Sequence, residues 1–535
     1  MTQIGKPACD EAAILHGRFA AHCTRGERRW TLVAAVLGSS MAFVDGTVVN
    51  VALPAMQRDL DATAAAAQWI IESYALFLAA LLLVGGALGD RFGRRLVFMV
   101  GVAVFTAASM ACALSTSASA VVVARAVQGT GAALLVPGSL ALISASFPAD
   151  ERGAAIGTWS AFSGIAAAVG PVLGGYLVEH FSWTWAFLVN LPVGAALLAI
   201  CAIKLPESRG PASSAGIDRL GAVLATLSLG GLVFALTEVT TRGWAATEVW
   251  GAFVLGIVGL LAFVRVEASV SAPMLPLALF DVRDFTGANA LTLLLYAALG
   301  GGLYFVPLNL IQVQGYGAAA AGAAMLPFIA IMFALSRWSG RLVDRFGPKI
   351  PLVAGPVVAA AGFALFAVPA IGGTYWQTFF PAVCVLGLGM AITVAPLTTT
   401  VMNAVGTDLA GVASGINNAV SRTAALVAIA VFGIVMAAAF DAELGTRLAR
   451  LDAPRDVVRA LTLQQDKLAG IVVPAGLDDV VASAARQAIG MAFVAGFRWI
   501  MLACMMLSLA SALTAWLMIG GDPEPRPAGS LPRAE

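Results

Sequence analysis

Long apolar runs, all close to one length, alternate with short polar breaks along almost the whole chain. They fall at about 30–54, 68–88, 96–116, 119–143, 154–178, 185–204, 218–237, 249–267, 285–309, 319–340, 350–370, 376–398, 409–438 and 489–519. A bilayer's hydrocarbon core is ~30 Å thick, and a helix crosses it in ~20 apolar residues. Each run is therefore predicted to be one transmembrane helix. The fold class is all-α integral membrane, with about fourteen spans by that length rule. The runs group into a tail (1–29), six spans (30–204), a linker with two extra spans (205–283), five spans (284–439), a polar segment (440–488), a last span (489–519) and a second tail (520–535). The stretch from Pro206 to Gly216 is rich in Pro, Gly and Ser and reads as a linker. Asp10 and Glu11 interrupt the first residues, so no signal peptide is expected there.

Basic residues in the short breaks set the orientation. With both termini in the cytoplasm, Arg25, Arg28, Arg29, Arg91, Arg94, Arg95, Arg341, Arg345 and Lys349 all lie inside. The short outer loops keep only Arg58 and Arg242. Segment 440–488 is too polar to span and is placed outside. Leu444, Leu448 and Leu451, then Val457, Val458 and Leu461, recur there at helical spacing. Short amphipathic helices on the outer face are expected; a mobile loop is the alternative.

Composition agrees with lipid as the main solvent. Hydrophobic residues make up 60% and charged residues 11%, with mean hydropathy +0.89; soluble domains sit near ~45–50% and ~25%. A net charge of +1 implies no general attraction to nucleic acid. The six cysteines are scattered without metal-like spacing, and His16, His22 and His180 lie outside the spans. No metal site, cofactor or enzymatic constellation is expected. The P-loop pattern is absent as well, so energy for any transport must come from an ion gradient or the substrate's own.

One motif occurs twice. Gly86 to Gly93 (GALGDRFG) returns 254 residues later as Gly340 to Gly347 (GRLVDRFG), each between two apolar runs. A duplicated charged hinge implies two homologous halves, the architecture of many secondary transporters. Gly86, Asp90, Arg91, Gly93 and Arg94, with Gly340, Asp344, Arg345 and Gly347, are the candidate gating residues. Asp90 can pair with Arg94 and cap the positive end of a neighbouring helix; the plain alternative is a basic loop that only sets topology.

Ionisable residues inside the membrane are costly and mark function. Asp45 lies in span one, Glu72 in span two, Arg125 in span four, and Arg422 in span thirteen one turn after Asn418. Asp45 is the leading proton carrier, with Arg125 as the cation that tunes it; a static buried pair is the alternative. Glu72 has Gln68 and Leu76 as its one-turn neighbours. It can bind a cationic substrate, carry a second proton, or snorkel outward. Gly170, Pro171, Gly174 and Gly175 combine a GxxxG pair with a kink, which allows close helix packing. Met41, Trp159, Phe162, Tyr296, Tyr304, Asn309, Met390, Asn417, Asn418 and Arg422 are the candidate cavity lining. Apolar, aromatic and methionine side chains of this kind adapt to varied lipophilic ligands.

Five motifs carry a family resemblance. The hinge at 86–93 and its echo resemble the signature of the major facilitator superfamily between spans two and three. Asp45 to Pro54 (DGTVVNVALP), Arg125 to Gly131 (RAVQGTG), Gly170 to Gly175 (GPVLGG) and Trp183 to Pro192 (WTWAFLVNLP) are similar to the first-, fourth-, fifth- and sixth-span motifs of its fourteen-helix drug/proton antiporters. The resemblance implies two pseudo-symmetric six-helix bundles plus two extra helices. It further implies a hinge that latches the inner side and a fifth span that seals the outer side. The implied activity is proton-coupled export of lipophilic drugs or toxic compounds across the cell (inner) membrane, with the chain acting as a monomer. A dedicated exporter of one metabolite is the alternative, and an uptake symporter a further one. Two positions depart from the pattern: Thr184 stands where relatives usually carry arginine, and Glu72 where they usually carry a small neutral residue.

Overall fold

A computed structural model describes residues 24–208, 218–270, 273, 275–405, 410–450, 454–474 and 477–520. Both chain tails and most of the 206–216 linker fall outside the described residues, as do the side chains of Asp90 and Asp344. The described residues are helical, with no strand among them.

In chain order the helices are α1 Arg25–Asp59, α2 Ala64–Phe92, α3 Arg94–Leu114, α4 Ala118–Ser146 and α5 Ala149–His180. The single turn Trp185–Leu188 precedes α6 Asn190–Lys204; then come α7 Arg219–Arg242, α8 Thr247–Glu267 and α9 Arg283–Leu308. The second half holds α10 Ala318–Ala323, α11 Leu326–Phe346, α12 Lys349–Phe366, α13 Tyr375–Asn403, α14 Ala410–Leu448, α15 Arg455–Thr462 and α16 Asp479–Met518.

Local chemistry explains several helix ends. Thr24 opens α1 with a reciprocal box: Glu27 N–H donates to its hydroxyl at 3.2 Å, and its own N–H donates to Glu27 Oε2 at 2.9 Å. Thr63, Ser117 and Asp218 cap α2, α4 and α7 in the simpler one-way manner. The two hinge octets end alike. Gly93 stops α2 at φ +116° and Gly347 stops α11 at φ +71°, a region that costs an L side chain strain.

Thirteen helical segments among the described residues are long and apolar enough to cross a bilayer. The run expected at 154–178 falls in α5, whose 32 residues reach ~48 Å at ~1.5 Å per residue. The tenth run is one span by hydropathy but two helices in space, α10 and α11, parted by a turn at Ala324–Met325. Pro327 in the first turn of α11 has no N–H to continue the α10 ladder. The ninth span closes in a π turn, Asn309–Val313. Helices α14 and α16 hold 39 and 40 residues, about 60 Å each, so both outrun the hydrocarbon core. The stretch between them is therefore 449–478, narrower than the expected 440–488. It contains α15, which buries Val457 and Leu461, so part of it is an ordered amphipathic helix.

The chain forms two compact units. The first holds everything up to residue 274 together with Gly315–Ala323, hence α1 to α8 and α10. Within it α4 packs along α2 and α3, α5 packs along α1 and α10, and the hairpin of α7 and α8 attaches through α7 to α2. Its core is built on Phe98, Phe105, Leu135 and Leu197, all fully buried. The second unit holds Leu275–Gln314 and residues 324 onward, with α9, α14 and α16 in mutual contact and α12 between α13 and α16. Outward-facing side chains such as Leu114, Val123 and Leu261 are about two-thirds or more exposed. That apolar exterior is suited to lipid and not to water.

Candidate functional site

The densest buried polar cluster of the first unit is built by α1, α2, α3, α4 and α6. Asp45, on α1, is fully enclosed, and Arg125, on α4, is 1% exposed. Arg125 Nη1 donates to Asp45 Oδ2 in a buried ion pair. The same guanidinium donates to Gln128 Oε1 at 2.7 Å and, through Nε, to the Ile70 carbonyl at 3.1 Å. Its carbon lies 4.1 Å from the centre of the Tyr74 ring, a cation–π contact. Asp45 Oδ1 accepts from Gln128 Nε2 at 2.8 Å and from Asn190 Nδ2 at 3.1 Å. Ser109 Oγ accepts from those same two amides.

Each position follows from helix geometry. Arg125 and Gln128 are three apart, one face of α4, and Asn190 is the first residue of α6. The cluster is satisfied: one carboxylate meets a cation and two neutral donors, far from water. Such pairs are weak contributors to stability but costly to break from one side.

The expected pairing of Asp45 with Arg125 is thus present, and Glu72 is not part of it. Glu72 is fully buried on the side of α2 that meets α7. Its Oε2 accepts from Thr237 Oγ1 at 2.8 Å, which rules out snorkelling in this arrangement. Gln128, Ser109 and Asn190 were missed as site residues. Gln128 and Asn190 stood inside motifs already singled out, and their amides were the available signal; Ser109 offered none.

At the first hinge, Arg91 and Phe92 are exposed with the guanidinium 5.6 Å over the ring; Arg345 and Phe346 repeat this at 5.2 Å. Arg94 is buried. Gly86 and Gly340 lie inside α2 and α11. The α3 N-terminus is capped by Glu207, just after α6: Arg95 N–H donates to its Oε1 at 3.0 Å and Leu96 N–H to its Oε2 at 3.2 Å. Arg95 also donates to the carbonyls of Leu205 and Ala202. A carboxylate at a helix N-terminus is favourable, and Glu207 lies 114 residues further along the chain than Gly93; the expected Asp90 cap lies outside the described side chains.

The fifth-span glycines meet neighbouring helices at backbone distance. A Cβ on Gly170 would collide with Thr47 Oγ1, one on Gly174 would sit 3.1 Å from Val48 Cα, and one on Gly175 would strike the Ala318 carbonyl of α10. In turn a Cβ on Gly322 would strike the Pro171 carbonyl. The motif thus binds α5 to both α1 and α10.

The candidate cavity residues separate into two sets. Met41, Tyr304, Asn309 and Met390 are buried; Met41 belongs to the first unit's core, and Asn309 accepts from Gln314 at 3.3 Å. As they stand they serve packing. Trp159 is half-buried and donates to Ser39 Oγ at 2.9 Å, Phe162 is exposed, and Tyr296 is half-buried. On α14, Asn417 donates to Asn289 Oδ1 at 3.2 Å and Thr292 Oγ1 at 2.7 Å on α9. Arg422 Nε donates to exposed Asn418 Oδ1 at 3.1 Å. Asn289 and Thr292 are additions that the sequence did not suggest. Among the described residues, no group of His, Cys, Asp and Glu could hold a metal ion.

Comparison with known proteins agrees with this architecture. The profile of the Major Facilitator Superfamily matches residues 35–430. The chain is 34% identical over 482 residues to the tetracenomycin C resistance and export protein of Streptomyces glaucescens, covering 88% of this chain and 89% of that one. It is 35% identical to the multidrug resistance protein Stp of Mycobacterium tuberculosis, covering 78% of each. It is also 35% identical to the methylenomycin A resistance protein of Bacillus subtilis, covering 76% and 87%. In fold it is similar to a bacterial homologue of the human lysosomal transporter Spinster, with TM-score 0.62, 15% identity and coverage of 92% and 98%. It is likewise similar to a D-xylose–proton symporter, with TM-score 0.58, 14% identity and coverage of 93% and 99%. The chain belongs to the major facilitator superfamily, as a multi-pass membrane transporter whose relatives include antibiotic and multidrug resistance and export proteins.

Proposed function

We propose that this protein is a proton-driven exporter of lipophilic small molecules across the cytoplasmic membrane, working by alternating access as a monomer with both termini in the cytoplasm. The observation that carries the proposal is the enclosed Asp45–Arg125–Gln128–Asn190–Ser109 network. It holds a carboxylate that can take a proton only by giving up a guanidinium. Proton uptake places H⁺ on an Asp45 oxygen and breaks the Arg125 Nη1 bond; Gln128 and the Tyr74 ring retain the cation. Release on the other side restores the pair. The helix that bears Asp45 packs against the Gly170–Gly175 stripe, so movement around Asp45 is transmitted to α5 and α10. One charge crossing 100 mV supplies ~2.3 kcal/mol, enough for roughly fifty-fold accumulation at ~1.4 kcal/mol per tenfold.

Relatives named for multidrug resistance support a broad cargo range. The tetracenomycin C and methylenomycin A resistance proteins favour a second reading, a dedicated exporter of one antibiotic. Proteoliposomes holding the purified chain test both. Efflux of several lipophilic cargoes driven by an imposed pH difference and stopped by a protonophore is expected. Flux indifferent to that gradient refutes proton coupling, and activity toward a single compound selects the second reading.

A further inference from the structure

The hairpin of α7 and α8, absent from a twelve-helix plan, is pinned to α2 by a short polar seam. Trp69 Nε1 donates to Glu238 Oε1 at 3.1 Å, and its ring lies 6.2 Å from Phe234. Glu238 is matched by Arg242 at 2.9 Å. One turn along α2 from Trp69, Glu72 Oε2 accepts from Thr237, the neighbour of Glu238. Glu72 is fully buried, and its other oxygen, Oε1, has no hydrogen-bond partner among the described residues.

Among the described residues, no cation pairs with it. Four helices pack on α2: α4, α7, α3 and α1. Among the described side chains, the α7 cation Arg242 is engaged by Glu238 and the α4 cation Arg125 by Asp45. On α3 the described charged side chains, Arg94 and Arg95, sit at its start, the opposite end of α2 from Glu72; on α1 the mid-span charge is Asp45, and in its last turn Arg58 Nε donates to the Pro54 carbonyl at 3.3 Å and Asp59 accepts from Trp183 at 2.9 Å. An ionised carboxylate enclosed between helices with one hydroxyl donor costs several kcal/mol. A neutral carboxyl in the same seam costs far less. An ionised Glu72 is relieved only by parting α2 from α7 so that water enters. An organic cation needs the same parting to reach a fully enclosed group, whereas a proton does not.

We propose that Glu72 is a second proton-binding site, separate from Asp45, and that its proton fastens the accessory hairpin to the first bundle. With the proton bound, the Thr237 contact and the Trp69–Glu238 contact hold α7 against α2. With the proton released to water, the carboxylate hydrates and the seam opens at that end. The hairpin is then a pH-responsive element of the transporter and not only a spacer between halves.

Two measurements test this on the full chain in lipid nanodiscs. In the first, spin labels on Ala64→Cys (α2) and Thr241→Cys (α7), with the six native cysteines replaced, report the seam by double electron–electron resonance across a pH series. The expected result is one short-distance population at acidic pH that is lost as pH rises, and that persists at every pH in Glu72→Gln. An equal response in the two chains, or none in either, overturns the proposal. In the second, which needs no variant, the unmodified protein is treated with dicyclohexylcarbodiimide, which attacks protonated carboxyls in apolar surroundings. Mass spectrometry is expected to find label on Glu72 that diminishes as pH rises; no label there, or pH-independent label, overturns the proposal. Asp45→Asn is expected to leave both signals in place while abolishing gradient-driven efflux, so this inference and the proposed function fail separately.

Discussion

Replacing Asp45 by asparagine strands a guanidinium that is 1% exposed. The mutant Arg125 keeps the Gln128 Oε1 and Ile70 carbonyl contacts and the Tyr74 ring, but each of these is neutral. Removing one partner of a buried ion pair costs about 3–5 kcal/mol, because the remaining charge is uncompensated. Arg125→Met has the converse effect: it leaves a carboxylate served only by two neutral amides, Gln128 and Asn190, and a loss of similar size is expected. Combining the two changes removes both charges, which is often close to neutral. The double variant is therefore expected to be about 3–5 kcal/mol more stable than either single one, a coupling of roughly 6–10 kcal/mol relative to additive losses. Denaturation in mixed micelles, followed by tryptophan fluorescence, reads that coupling. The transport assay then separates folding from function. The double variant folds, yet lacks the Asp45 carboxyl proposed to couple proton to cargo, so gradient-driven accumulation is abolished while downhill flux of cargo remains. Additive losses would refute the buried-pair argument, and gradient-driven efflux by the double variant would refute Asp45 as carrier.

Three further outcomes are expected. Gly170→Ala puts a methyl against Thr47 Oγ1 and destabilises by about 1–3 kcal/mol through overpacking; Thr47→Ala removes the clashing oxygen and restores much of the thermal midpoint. Gly322→Ala meets the Pro171 carbonyl, a backbone atom, so no truncation of a neighbouring side chain rescues its midpoint. Glu207→Ala removes the acceptor for two α3 N–H groups and costs about 0.5–2 kcal/mol, the range of an N-cap loss, read as a fall in thermal midpoint. It does not rescue Gly93→Ala, because relief of the 2.8 Å approach to Glu207 leaves the φ of +116° in place.

The sequence by itself determined the all-α membrane fold class, the duplication of the hinge and the identity of the acids within the apolar runs. These are local properties: lipid demands only length and apolarity, and a glycine that ends a helix at positive φ is legible where it stands. It did not reveal that hydropathy had merged α10 with α11, nor that α14 and α16 outrun the bilayer, since hydropathy falls where a helix leaves the lipid and does not report that the helix continues. Partnership was decided by tertiary structure alone. Asp45 finds Asn190, Glu72 finds Thr237, and the α3 N-terminus finds Glu207, each more than a hundred residues away in the chain. Which helices adjoin, and how each is rotated about its axis, decides whether a buried carboxylate meets a cation or a single hydroxyl. Asp45 and Glu72 look alike in sequence, as acids in apolar runs, and packing alone makes one an ion pair and leaves the other with an unpartnered oxygen.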